Sequence, residues 1–199
     1  VDVAKENDII TPELKTAGNT LVKFDITRNE QELPDFEQIK SLYEDIHALI
    51  QNGVIVSAYA LDSHGIVPAV SKMAFGNKLG VSLSRDITRE ELFAAGFGNI
   101  VAEVKTDRLS EIQTAHKIIG NVTDTGTFTY GDVVITMDEA LHAWTQTLEG
   151  VFPTKADKGV DKVDSPLYKA DSVHICKNKV AKPTVFIPVF PGTNCEYDS

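Results

Sequence analysis

Val54-Ile55-Val56-Ser57-Ala58-Tyr59-Ala60-Leu61 runs into Asp62-Ser63-His64-Gly65, and then into a segment carrying Val67, Val70, Met73, Ala74 and Phe75. The first eight residues are apolar almost throughout, which predicts a strand buried on both faces in the middle of a sheet. The four that follow are turn formers. The last five recur at helical spacing, and Pro68 sits in the first helical turn, where a missing N–H costs nothing. A strand, a tight turn and a helix in that order make an α/β unit, and the rest of the chain is read outward from it.

Upstream, Asn19-Thr20-Leu21-Val22-Lys23-Phe24-Asp25-Ile26-Thr27 is rich in β-branched and aromatic residues and predicts a strand. Pro34-Asp35 opens a helix whose Phe36, Ile39, Leu42, Tyr43, Ile46, Leu49 and Ile50 fall on one face, and Asn52-Gly53 stops it. Downstream, Leu79–Leu83 predicts a strand. Thr88-Arg89-Glu90-Glu91 has the capping-box pattern of a helix start. Asn99–Lys105 predicts a strand, Asp107–His116 a helix and Lys117–Asp124 a further strand. Thr127–Tyr130 and Asp132–Thr136 predict a hairpin across Gly131. Asp138 is expected to cap a last helix with Leu141, Trp144, Thr145 and Leu148 on one face, ended by Gly150. The expected fold class is α+β, a mixed sheet with packed helices. The domain is expected to cover 1–153. Residues 154–183, lysine- and aspartate-rich with Pro166 and Pro183, have the composition of a linker.

The chain has 199 residues, 42% of them hydrophobic, which suits one domain plus attachments with a packed core. Nineteen basic against 29 acidic residues give a net charge of −10. Such a field repels phosphate backbones and anionic lipid, so neither nucleic acid nor a membrane surface is an expected partner. No apolar run approaches the roughly 18 residues of a membrane span. Val1-Asp2-Val3-Ala4-Lys5-Glu6 has no signal-peptide layout and no initiator Met, so a cytoplasmic protein and a trimmed start are expected. Cys176 and Cys195 are then expected to be reduced, and their spacing matches no metal-ligand pattern.

The candidate ligand residues are Asp62 and Ser63. They stand between a strand and a helix N-terminus, where free N–H groups face anions. The plainer reading is a strand-to-helix turn with Asp62 or Ser63 as N-cap. His47, His116 and His142 have no partner at a metal-ligand spacing and are read as ordinary histidines. His174 lies two residues from Cys176 in the linker, with no folded pocket predicted around the pair. The glycines form neither GxGxxG nor GxxxxGK[ST], so no phosphate loop is expected. The acidic helix faces, such as Glu37, Glu44 and Asp45, are read as solvated.

The chain ends Thr184-Val185-Phe186-Ile187-Pro188-Val189-Phe190-Pro191-Gly192-Thr193-Asn194-Cys195-Glu196-Tyr197-Asp198-Ser199, which reads as a strand running into a turn. Cys195 has the place of a nucleophile elbow, but Glu196 stands near where that pattern wants glycine, so a non-catalytic cysteine is the better reading.

Pro188–Asp198 closely resembles the opening strand and turn of the glutaminase domain in phosphoribosylformylglycinamidine synthases. Ser57-Ala58-Tyr59 through Ser71-Lys72-Met73-Ala74-Phe75-Gly76-Asn77 resembles the strand–turn–helix of the aminoimidazole-ribonucleotide-synthetase-like C-terminal domain in the same enzymes. The resemblance covers essentially the whole chain. It implies a C-terminal synthetase subdomain over 1–153, a linker over 154–183 and the truncated start of a glutaminase domain over 184–199, as in the large single-chain form. It further implies a ligase that uses ATP, magnesium and glutamine to turn formylglycinamide ribonucleotide into the amidine. The remaining synthetase and glutaminase domains of the same chain are the implied partners. The family's catalytic cysteine falls beyond the opening turn, so this fragment is expected to be inactive. Many members carry His-Asp-Arg-Ser-Asp-Gly-Gly at the inner turn, the first Asp on a metal and the Ser on a nucleotide. Here Ala60 stands at the Asp position, Asp62 at the Ser position, and His64 and Gly65 at the glycines. Alanine offers magnesium no oxygen. Asp62 and Ser63 are the polar groups left for a nucleotide. The competing expectations are a standalone acidic ligand-binding or interaction module of the same fold, and a cysteine-dependent enzyme using Cys195 or Cys176. An apolar face left uncovered by missing domains is expected to drive self-association.

Overall fold

The computed structural model describes residues 4–5, 8–154, 169–172, 175–182 and 184–194. The chain divides into two units, 1–155 and 156–199.

The first unit is built on a seven-stranded mixed sheet: β1 (Thr20–Phe24), β2 (Ile55–Ala60), β3 (Gly80–Leu83), β4 (Ile100–Val104), β5 (Lys117–Thr123), β6 (Thr127–Tyr130) and β7 (Val133–Thr136). Their order across the sheet is β2-β4-β1-β5-β3-β6-β7. All pairings are antiparallel except β3 with β6. The helices are α1 (Phe36–Gln51), α2 (Ile66–Asn77), α3 (Arg89–Phe93) and α4 (Met137–Glu149).

Strand alternation sorts the apolar residues onto two faces. On one face Leu21, Val101, Ile119 and Val122 meet α2 and α3 through Ile66, Val70, Met73 and Leu92. On the other, Val22, Phe24, Ala102 and Val104 meet Leu42 and Ile46 of α1. The helix starts follow local chemistry. Asp35 accepts from the N–H groups of Glu37 and Gln38, and Thr88 and Thr136 each form a complete capping box, with Glu91 and Glu139. Gly131, with φ of 60°, takes the first place of the two-residue turn between β6 and β7, where a primed hairpin turn needs a positive φ.

The expected order of elements is present, with five differences. The strand at 54–61 is not central: β2 is an edge strand, paired only with β4, and its register shifts between Ile55 and Ser57. Its apolar character comes from packing on α1 and α2, not from neighbours on both sides. The helix expected over 107–116 is a six-residue 3₁₀ turn, Thr106–Glu111, with Ile112 extended. The last helix is capped by Thr136, and Asp138 lies inside its first turn. Residues 184–190, expected to form a strand, carry no ladder pairing among the described residues. A strand needs a neighbour for its N–H and C=O groups. At 191–192 the chain does turn, with Thr193 N–H donating to the Phe190 carbonyl at 2.9 Å. The fifth difference, at the Asp62 turn, concerns the candidate site.

One buried group was not anticipated. Glu103 of β4 is fully buried, yet no cation touches it. Its carboxyl oxygens accept from Lys15 N–H at 2.7 Å, Thr16 N–H at 3.0 Å and Asn19 Nδ2 at 2.7 Å. The same segment is held by Ser57 Oγ donating to the Pro12 carbonyl, Leu14 N–H donating to Met73 and Asn77 Nδ2 donating to the Leu14 carbonyl. Leu14 is thereby driven wholly into the core. Glu103→Ala would take the acceptor from two part-buried backbone donors, each loss costing about 1–3 kcal/mol. A loss of about 3 kcal/mol in urea denaturation is expected, with Glu103→Gln losing less. An unchanged midpoint for Glu103→Ala would contradict this account.

Lys117 of β5 donates to Glu91 of α3 at 2.7 Å, and with the Thr88 N–H it holds the Glu91 carboxyl at about 2. A folded-state value below the unfolded one stabilises the protein above the ordinary glutamate range near 4.5, and the effect fades as the pH falls through about 2. Lys117→Met should flatten the acid limb of the stability profile between pH 5 and 2, measured by urea midpoints. An unaltered profile would show the pair to be silent.

Candidate functional site

Asp62, Ser63, His64 and Gly65 join β2 to α2, and the turn is closed by its own side chains. Asp62 Oδ1 accepts from the His64 N–H at 2.7 Å and lies 3.1 Å from His64 Nδ1. Ser63 Oγ lies 3.2 Å from the same Nδ1. Lys72 Nζ, nearly two helical turns into α2, sits 4.0 Å from Asp62 Oδ2 and lies over the Tyr59 ring at 5.8 Å. The His64 N–H, then the His64 ring and Lys72, hold the Asp62 carboxyl below the usual aspartate range. The Asp62 carbonyl accepts from Gly96 N–H at 3.0 Å, which ties the turn to the loop after α3.

Neither Asp62 nor Ser63 caps the helix. The N-cap is Gly65, at φ 81° and ψ −157°, and no side chain accepts there. Only glycine takes that conformation without strain. Space imposes the same choice. A Cβ on Gly65 would lie 2.7 Å from the Ala94 carbonyl oxygen and 2.9 Å from that of Leu92. The C-terminal end of α3 therefore stands against the start of α2. Asp62 is half-buried and Ser63 exposed.

The metal position of the resemblance is Ala60, the exposed last residue of β2. Asp62 Oδ1 is engaged by His64, and among the described residues no group of three His, Cys, Asp or Glu side chains could hold a metal. The residues present do not fit a magnesium ion. His47 and His142 are exposed on helices, and His116 lies 2.8 Å through Nδ1 from the Thr114 carbonyl, beside Phe24. Cys176 is exposed, its thiol donating to the Asn178 carbonyl at 3.1 Å. His174 and Cys195 lie outside the described residues. Sequence reasoning missed the contact of the 94–99 loop with the turn. The available signal was the Gly96-Phe97-Gly98 run.

This strand–turn–helix, set in a mixed seven-stranded sheet with helices packed on it, defines the class: an α+β domain of the aminoimidazole ribonucleotide synthetase fold, as in the synthetase-like domains of PurL. The structure of PurLQS from Thermotoga maritima superposes over 84% of this chain and 32% of that one, with a TM-score of 0.59 at 14% identity. PurL from T. maritima complexed with ATP superposes over 69% of this chain and 28% of that one, TM-score 0.56 at 13% identity. In sequence, the chain is 27% identical over 94 residues to phosphoribosylformylglycinamidine synthase subunit PurL of Limosilactobacillus fermentum, covering 45% of this chain and 13% of the relative. It is 25% identical over 146 residues to a probable phosphoribosylformylglycinamidine synthase of Arabidopsis thaliana, covering 58% of this chain and 10% of that protein. The resemblance to phosphoribosylformylglycinamidine synthases is thus borne out. No family model matches the chain. It spans between a tenth and an eighth of the length of these curated relatives.

Gly65→Ala is expected to destabilise the domain by more than about 2 kcal/mol, since strain at positive φ adds to the carbonyl clash. Thermal melting checks this, with Gly126→Ala as a comparison: it has the same sign of φ and open space around it. Equal losses in the two variants would remove the argument for crowding.

Proposed function

We propose that the chain is the C-terminal synthetase-like subdomain, over 1–153, of the second half of a phosphoribosylformylglycinamidine synthase, followed by a linker over 154–183 and the first residues of a glutaminase domain over 184–199. The observation that carries this reading is that two independent comparisons, one of sequence and one of fold, converge on the same enzyme. The whole protein would be a cytoplasmic ATP-dependent C–N ligase of purine biosynthesis, with glutamine as the amide donor. The remaining synthetase and glutaminase domains would be its partners within the chain.

The subdomain's part in that ligase is support. Among the described residues the candidate turn offers no metal ligand set and no phosphate loop. What it offers is Asp62 and Ser63. An anionic carboxyl repels phosphate and accepts hydrogen bonds from hydroxyls, so these two residues suit the ribose side of a nucleotide rather than its phosphates. The ion and the phosphate grip would come from other domains. Trp144, Leu148, Val151 and Phe152, exposed on and just after α4, are the face those domains would cover, and without them the chain would self-associate.

The purified chain should release no glutamate from glutamine and form no ADP from ATP with formylglycinamide ribonucleotide. Measurable release of either product would overturn the supporting role. In the complete enzyme, Asp62→Asn and Ser63→Ala should raise the KM for ATP several-fold and leave glutaminase turnover unchanged. An unaltered KM in both variants would take the nucleotide contact away from this turn.

A further inference from the structure

A groove of about 510 Å³ lies between α3 and the β6–β7 hairpin, lined by Leu83, Leu92, Phe93, Phe128, Val133 and Ile135 among others. Arg89 is the one charged residue on its wall. The Arg89 side chain makes no hydrogen bond or ion pair among the described residues, in a chain of net charge −10. The groove opens along β7, an edge strand whose four residues are all exposed.

The two edges of the sheet differ. β2 carries a register shift, and such irregularities blunt strand addition. β7, Val133-Val134-Ile135-Thr136, has neither a bulge nor a charge nor a proline. Tyr130 and Val133 close a two-residue turn and exchange hydrogen bonds, so by alternation the N–H and C=O of Val134 point away from β6. The Thr136 N–H is taken by Glu139. Val134 therefore presents a free donor and a free acceptor beside an apolar trough with a lone cation on its wall.

We propose that this edge and groove dock an extended segment of a partner polypeptide, apolar at alternate positions and carrying a carboxylate at the next position of that same face. Its backbone pairs with Val134, its apolar side chains enter beside Val133 and Ile135, and its carboxylate meets Arg89. Charge disfavours a second copy in the same place. Antiparallel pairing of β7 on itself through Val134 sets Asp132 opposite Thr136 of the other copy, next to that copy's Asp138 and Glu139. The inference does not rest on the ligase reading.

The test is nuclear magnetic resonance of the labelled chain, titrated with an end-blocked peptide Thr-Val-Thr-Val-Thr-Glu-Thr, whose Glu shares a face with its valines, and with its twin carrying Lys for Glu. The Val134 amide and the Val133 and Ile135 methyls should shift. The Glu peptide should bind about two- to fivefold more tightly, the range of an exposed ion pair. Arg89→Glu should reverse that preference. Val134→Pro removes the outward donor while sparing the hydrogen bonds to β6, and should abolish binding. If that variant fails to fold, the reversal in Arg89→Glu decides alone. Absent shifts, or equal affinities for the two peptides, would overturn the proposal. So would a sedimenting dimer that Val134→Pro dissolves, since the occupant would then be a second copy.

Discussion

The carboxyl group of Glu103 is the fixed point of the domain. It sits in the second strand from the edge, with β2 on one side and β1 on the other, and it is shut off from water. A buried acid is tolerated only when its oxygens are satisfied, and here the partners are two backbone N–H groups and one amide of the segment that precedes β1. The requirement works in both directions. The strand can bury its acid because the segment is there, and the segment lies where it does because the acid is buried. Leu14 enters the core as a result, and Asn77 and Met73 at the end of α2 bond to its backbone. The position of α2, and with it the start of the Asp62 turn, follows from a group that takes no part in the turn.

At the other end of α2 the constraint is steric. Gly65 brings the helix start against the carbonyls of Leu92 and Ala94, so the turn and the end of α3 pack backbone against backbone. Asp62 spends one oxygen on the His64 backbone. A turn of this kind keeps its shape without a ligand. The turn is braced by its own hydrogen bonds.

Periodicity made most of this architecture legible. The apolar positions of α1 and α2 and the alternation of β1 and β4 fall where the pattern put them, because burial on one face leaves a period in the sequence. The strand–turn–helix and the terminal motif carried the likeness to phosphoribosylformylglycinamidine synthases. What escaped has a physical pattern of its own. An apolar strand reads the same whether strands or helices cover it, so β2 was placed in the middle when it stands at an edge. Asp107–His116 is polar enough for a surface helix, but Ile112 has to reach the α1 face, which a continued helix would not allow. Glu103 was visible as the one acid in Ile100-Val101-Ala102-Glu103-Val104, yet its partners lie more than eighty residues away and no local pattern announces them. At the candidate site, Asp62 and Ser63 were legible as polar groups beside a helix start, while the crowding at Gly65 depends on a loop distant in sequence.

The order of strands also sets the tempo of folding. β1 lies between β4 and β5, so that Thr20 pairs with Val104 and with Asn121. The hairpin of β6 and β7 is the one place where strands consecutive in the chain also pair with each other. On the ribosome, β1 must therefore wait, unpaired, while roughly eighty further residues emerge to supply β4, and roughly a hundred to supply β5. Closing loops of that length is slow, and no local hairpin is present to hold the sheet's middle in advance. An early strand with the apolar sequence Leu21-Val22 and no neighbour is open to non-native pairing until β4 and β5 arrive. The middle of the sheet is thus assembled from pairings distant in sequence, after the segments between them have been made.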